Sequence, residues 1–184
     1  TNNKYIGWAK LLSYSIAEGH ELIRENKSEA EIRIGIASKE ILIDIKKTTL
    51  LLNKKYRIWQ DKQRKNMHYI GISVWKDLSF FSEIGYEFGN SSGTKKLPEF
   101  VMISNDPIKK VVLSTLFDCD GSFVGHQLIY TTKSKILTDQ MTYLLSEFGI
   151  HARIRKVLNK EYNQYYYRIE INGKYLDLFD KKVG

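Results

Sequence analysis

Two acid–glycine pairs, Glu18-Gly19 and Asp120-Gly121, each close an apolar, helix-like run: Leu11–Gly19 reads LLSYSIAEG and Leu113–Gly121 reads LSTLFDCDG. A helix C-terminus carries partial negative charge, so a carboxylate there is disfavoured and Lys or Arg is the expected residue. Glycine just past the end is ordinary, because it takes the left-handed conformation that closes a helix. A single such acid reads as a solvated helix end. Two in matching segments point to a cation held between them. Ser13 and Ala17 in the first run, and Thr115 and Cys119 in the second, are spaced i, i+4 and share one helix face. Small side chains in that pattern let helix backbones approach closely. Packed side by side and parallel, the two helices would bring both acids to one point. Carboxylates that close repel, and one keeps its proton unless a metal intervenes.

The elements that must position these acids repeat along the chain. After the first run come a hairpin at His20–Glu25 and Glu31–Ser38, a helix from about Lys39 to Leu52, strands at Tyr56–Gln60 and His68–Trp75, and a short helix near Asp77–Glu83. The second course has strands at Ser122–Val124 and Gln127–Thr132 and a helix over Ser134–Phe148. Strands at His151–Val157 and Gln164–Ile171 follow, then a last helix. Asp106-Pro107 marks the second start as an N-cap with proline at the first helical position. The reading is an α+β chain of two pseudo-symmetric αββαββα halves, with antiparallel saddle-forming sheets and a two-helix central interface. Its divisions are an N-terminal half at 1–85, a linker at 86–103 containing the Gly- and Ser-rich stretch Gly89–Gly93, and a C-terminal half at 104–184.

The chain has 184 residues, 42% of them hydrophobic, enough for one sizeable core or two smaller ones. A formal charge of +8, with 12 tyrosines and 3 tryptophans, suits a polyanion that carries stackable bases. The one cysteine, Cys119, can form no intramolecular disulfide, and no Cys/His spacing resembles a zinc site. No signal peptide or apolar run of spanning length is present, so no membrane partner and a cytoplasmic (intracellular) location are expected.

Strand alternation divides the side chains by face. If Ile32, Ile34, Ile58, Ile70, Ile72, Ile154, Tyr167, Ile169 and Ile171 face helices, the opposite face carries Arg33, Arg57, Tyr69, Ser73, Arg153, Arg155, Tyr166 and Arg168. An open sheet face rich in Arg, Tyr and Gln can enter the DNA major groove. Arg24, Lys62 and Arg64 in the first half, and Gln127 and Tyr130 in the second, complete the expected contacts to double-stranded DNA.

The repeated motif resembles that of the LAGLIDADG homing endonucleases in their two-motif, single-chain form. Glu18 and Asp120 stand at its final acidic position, and Gly121-Ser122-Phe123 also looks typical. The first copy departs more, with Ser13-Tyr14-Ser15-Ile16 in its middle. Lys95-Lys96-Leu97-Pro98-Glu99-Phe100 looks like the Lys-x-Ile/Leu-Pro-x-Phe block of intein-borne members. The resemblance implies a monomeric, site-specific DNA endonuclease. It implies Mg²⁺ bound by Glu18 and Asp120 with the backbone carbonyls of Ala17 and Cys119, Lys95 as the active-site lysine of the first half, and Ser38 and Thr132 near the water-positioning site. The second half's lysine is expected beyond Gly184. Without Cys or Ser at the start or His-Asn at the end, no protein splicing is expected. The rival reading is a binder that does not cut: an RNA maturase, a regulator on the same scaffold, or a degenerate endonuclease.

Overall fold

The computed structural model describes residues 2–184, which form two compact units that divide between Gly89 and Asn90. In the first unit, helix α1 (Asn2–Glu18) runs directly into strand β1 (Gly19–Arg24), which pairs with β2 (Glu29–Ile36). Helix α2 (Lys39–Leu51), strands β3 (Tyr56–Gln60) and β4 (His68–Ser73) and helix α3 (Leu78–Glu83) follow. The sheet is antiparallel, in the order β1-β2-β4-β3.

The second unit repeats this course and adds one element in front. Short helix α4 (Glu99–Ile103) precedes α5 (Asp106–Asp120), β5 (Gly121–Val124), β6 (Gln127–Thr132), α6 (Lys135–Glu147), β7 (Arg153–Asn159), β8 (Gln164–Asn172) and α7 (Lys174–Lys182). Its antiparallel sheet has the order β5-β6-β8-β7. The expected αββαββα course and α+β class are thus observed in both units. The cap of α5 lies one residue earlier than expected, at Asn105, with Pro107 inside the first turn.

The stretch expected to be linker carries packed structure at both ends. Tyr86 packs edge-on and Phe88 tilted against Phe81 in the first unit, at centroid distances of 5.6 and 5.4 Å. Leu97 and Val101 are buried in the second. Each core lies between one sheet face and its helices: Ile32, Ile34, Ile70 and Ile72 in the first unit and Ile169 and Ile171 in the second are fully buried. Ile58 and Ile154 share those faces by register but sit on edge strands, where they remain 39% and 40% exposed. Among the described residues, no helix is long and apolar enough to cross a membrane.

Candidate active site and nucleic-acid interface

Glu18 and Asp120 are the last residues of α1 and α5, and Gly19 and Gly121 are the first of β1 and β5. The expected left-handed glycine is not what the turn uses: Gly121 has φ −74° and ψ 146°, which is extended backbone. The reason for glycine is proximity. A Cβ on Gly121 would lie 2.3 Å from the carbonyl oxygen of Phe117, and one on Gly19 would lie 2.6 Å from Cα of Ser15. Without side chains there, helix can pass into strand with no intervening loop, and the acid is held at the junction.

Asp120 is half-buried, and burial pushes its carboxyl above the usual aspartate range. Two groups oppose that shift: the Lys95 ammonium nearby, and the Tyr130 hydroxyl, which donates to Oδ2 in a long 3.4 Å contact. Lys95 thus acts electrostatically on Asp120. Its segment is tied down within the second unit. The Ser134 hydroxyl donates to the Lys95 carbonyl at 2.5 Å, and the Gln140 amide brackets Leu97, accepting from its N–H at 2.7 Å and donating to its carbonyl at 3.2 Å. Glu18 is exposed at the end of α1, and Ala17 and Cys119 are half-buried in the last turns of their helices. Among the described residues, no cluster of three or more His, Cys, Asp or Glu gathers as a metal-binding group. The donors at the motif ends are oxygens, and oxygen donors suit Mg²⁺.

The two residues expected to position water do not occupy equivalent places. Ser38 caps α2, its hydroxyl accepting from the Ile41 N–H at 3.2 Å. Its counterpart is Ser134, which caps α6 in the same way by accepting from Leu137 at 3.1 Å. Thr132 is the buried last residue of β6, matching Ile36 at the end of β2, and its Oγ1 accepts from the Ser134 N–H.

The sheet faces largely follow the alternation. Cross-strand register puts Arg24, Arg33, Arg57, Tyr69 and Ser73 on one face of the first sheet, and Gln127, Arg153, Arg155, Tyr166 and Arg168 on one face of the second. Lys62 and Arg64 lie exposed in the β3–β4 turn, where Arg64 donates to the Tyr69 hydroxyl at 2.8 Å. Tyr130 is a correction. It pairs with Ile169 on the core side and is 1% exposed, so it is a neighbour of Asp120 and not a DNA contact. Two further residues of the first sheet went unrecognised. Glu31, on the Arg-rich face, accepts from Arg33 Nε at 2.5 Å and from Arg57 Nε and Nη2 at 2.9 and 3.0 Å. Trp59 stacks on Tyr69 at 5.6 Å and 17°. Their signal was the alternation itself, which puts both on that face.

Compared with known proteins, residues 108–184 match the LAGLIDADG-like domain. The chain is 27% identical over 96% of its length to part of the replication factor C small subunit of Methanocaldococcus jannaschii. It is 26% identical over 95% of its length to part of the glutamine–fructose-6-phosphate aminotransferase of the same organism. It spans only 9% and 16% of those two proteins. Among solved structures, a single-substitution variant of I-DmoI in complex with its target DNA in the presence of Mg superposes with a TM-score of 0.76 at 16% identity, covering 100% of this chain and 98% of that one. The N-terminal LAGLIDADG domain of DUF199/WhiA gives 0.64 at 17% identity, covering 100% and 82%. The chain therefore carries a match to the LAGLIDADG-like domain over residues 108–184 and, along its whole length, shares the fold of the homing endonuclease I-DmoI.

Proposed function

We propose that this chain is a site-specific endonuclease for double-stranded DNA, acting as a monomer. It makes a staggered double-strand break in a long, asymmetric target. The observation that carries the reading is the acid-to-strand junction, built twice with the same backbone constraint: a carboxylate ends the helix, and the glycine after it has no room for a Cβ. Nothing in helix stability favours an acid there.

In this reading Glu18 and Asp120, with the carbonyls of Ala17 and Cys119, hold Mg²⁺. When bound, the ion supplies positive charge to the scissile phosphate and an acidified water. The raised Asp120 carboxyl supports the assignment, because a buried acid with only partial compensation from Lys95 and Tyr130 gains from a cation. Lys95 adds positive charge where negative charge develops on the phosphate. The Ser134 and Gln140 hydrogen bonds hold its backbone in place. Arginines on the two sheet faces supply phosphate and base contacts. Because the halves differ in sequence, the target differs between its two sides.

An inserted, intein-type origin is part of the proposal. The same stretch matches small parts of a replication factor and of an aminotransferase, proteins whose activities have nothing in common. A second reading, nucleic-acid binding without cleavage, is favoured by the polar middle of the first motif, Ser13-Tyr14-Ser15.

The test is cleavage of a randomised duplex library with Mg²⁺, followed by end mapping, for the natural chain and for Glu18→Gln/Asp120→Asn. The expected result is one cut site for the natural chain, and loss of cutting with retained binding for the variant. Undiminished cutting by the variant would sink the metal site. Binding without cutting by the natural chain would replace the first reading with the second.

A further inference from the structure

Within the first unit, the Arg-rich sheet face holds two carboxylates; Glu29 pairs with Arg24 near the strand ends, and the inner one, Glu31, has its surroundings built around it. Glu31 takes the Nε and Nη2 edge of Arg57 with both oxygens and also accepts from Arg33. Both guanidinium groups lie over the Trp59 ring, Arg57 at 5.0 Å and Arg33 at 5.9 Å from its centroid. The space for this cluster comes from Gly71, on the same face. A Cβ there would lie 2.2 Å from Glu31 Oε1 and 3.1 Å from Trp59.

An acid in this place does not suit a phosphate contact, because it repels the backbone that the arginines attract. It does suit a base contact, which needs a fixed direction more than net charge. A guanidinium has five N–H groups in a rigid plane. With Nε and Nη2 engaged by Glu31, Arg57 keeps its end-on pair, one N–H from each terminal nitrogen, facing away from the acid. Its side chain is 62% exposed. Two parallel N–H groups on a fixed plane match O6 and N7 of guanine in the major groove.

We infer that Arg57 reads a guanine in the part of the target met by the first unit, with Glu31 and Trp59 as the residues that position it. The inference rests on duplex-DNA recognition as proposed above and assigns the specificity of one base pair. Glu31 fixes the rotation of the guanidinium, Trp59 supports its flat side, and Gly71 leaves room for both.

The experiment is a binding selection from a random duplex pool, in EDTA so that nothing is cut. It uses the full chain and its Arg57→Lys, Glu31→Gln and Gly71→Ala variants, each checked for native thermal unfolding. The natural chain should enrich a site with guanine at one defined position. In Arg57→Lys and Glu31→Gln, preference at that position alone should fall about tenfold or more, with the other positions unchanged. Gly71→Ala keeps both arginines but displaces the Glu31 carboxylate, so it should reproduce the Glu31→Gln pattern and serves if that variant fails to fold. An unchanged pattern, or equal weakening at every position, would overturn the inference and leave DNA recognition standing. If the natural chain enriches no duplex sequence, the inference and the reading beneath it fall together.

Discussion

At matching register positions the two sheets present different chemistry. Gly19 lies opposite Ile34, which pairs with Ile70; Gly121 lies opposite Tyr130, which pairs with Ile169. Counting outward from these points, Arg57 corresponds to Arg153, the Trp59–Tyr69 pair to Arg155 and Arg168, and Gly71 to Glu170. The first face is therefore a paired, aromatic-backed cluster around Glu31. The second sets arginines where the first sets aromatics: Arg153 is exposed, and Arg155 reaches the buried Glu170 at 3.5 Å. One backbone frame thus carries a surface suited to direction and another suited to charge. On the DNA-binding reading proposed above, the difference would separate base discrimination from general attraction to a polyanion.

The frame itself is the part that the units share, and breaking it should have the largest effect. Gly121→Ala sets a Cβ against a backbone carbonyl, and Gly19→Ala sets one against backbone at Ser15, so neither clash can be relieved by rotating a side chain. Each should lower stability by about 3 kcal/mol or more in urea denaturation. Gly125, in the β5–β6 turn, has open space around it and φ +59°. Its alanine variant should lose only about 1 kcal/mol, from conformation alone. If Gly19 or Gly121 tolerates alanine as well as Gly125 does, the acids are not held by a backbone junction.

A smaller effect separates the faces. The pair Arg153→Gln and Arg155→Gln should weaken binding to all duplexes alike, several-fold at moderate salt. It should also flatten the dependence of log K on log salt by about 0.9 for each phosphate that is no longer neutralised. Arg57→Gln should leave that slope nearly unchanged, because Arg57 is assigned to a base and not to a phosphate. Salt titrations on one unrelated duplex measure both. Equal slopes for the two variants would erase the distinction between the faces.

Much of this arrangement was legible in the sequence, for reasons that also explain the failures. Strands β3 and β6 fall at their expected bounds because polar punctuation frames them, and the stripe of Leu137, Met141, Leu144 and Leu145 marks α6. Tyr130 was misplaced because Leu128-Ile129-Tyr130 is an unbroken apolar run. Its parity is fixed only by pairing with Ile169, which is distant along the chain but adjacent in the sheet. The packing of the Lys95–Leu97 segment was not legible, because its anchors Ser134 and Gln140 lie far along the chain. Ser38 and Thr132 were read as strand ends, but β2 stops at Ile36, so the residue that matches Ser38 is the helix cap Ser134. Helix α4 spans five residues after a proline, too short for a periodic signal.

The smallest effect distinguishes the units by sign. Burial works against the charge on Glu31, but hydrogen bonds from Arg57 and Arg33 outweigh it and hold its carboxyl below the usual glutamate range. A depressed folded value contributes stability above the ordinary range, and that contribution disappears as pH falls through the folded value. Glu31→Gln should therefore be less stable than the natural chain at neutral pH, by less than about 1 kcal/mol because Arg57 is open to solvent. The gap should close on acidification. Asp120 is raised by burial, so its charge opposes folding above the ordinary aspartate range, and stability falls as pH rises from that range through the folded value. Asp120→Asn should be the more stable protein at neutral pH, and that advantage should also vanish in acid. Thermal unfolding of both variants from about pH 3 to 8, in EDTA, reads the two signs side by side. A destabilising Asp120→Asn would mean that Lys95 and Tyr130 compensate the acid fully, and the case for a cation at that helix end would lose its electrostatic support.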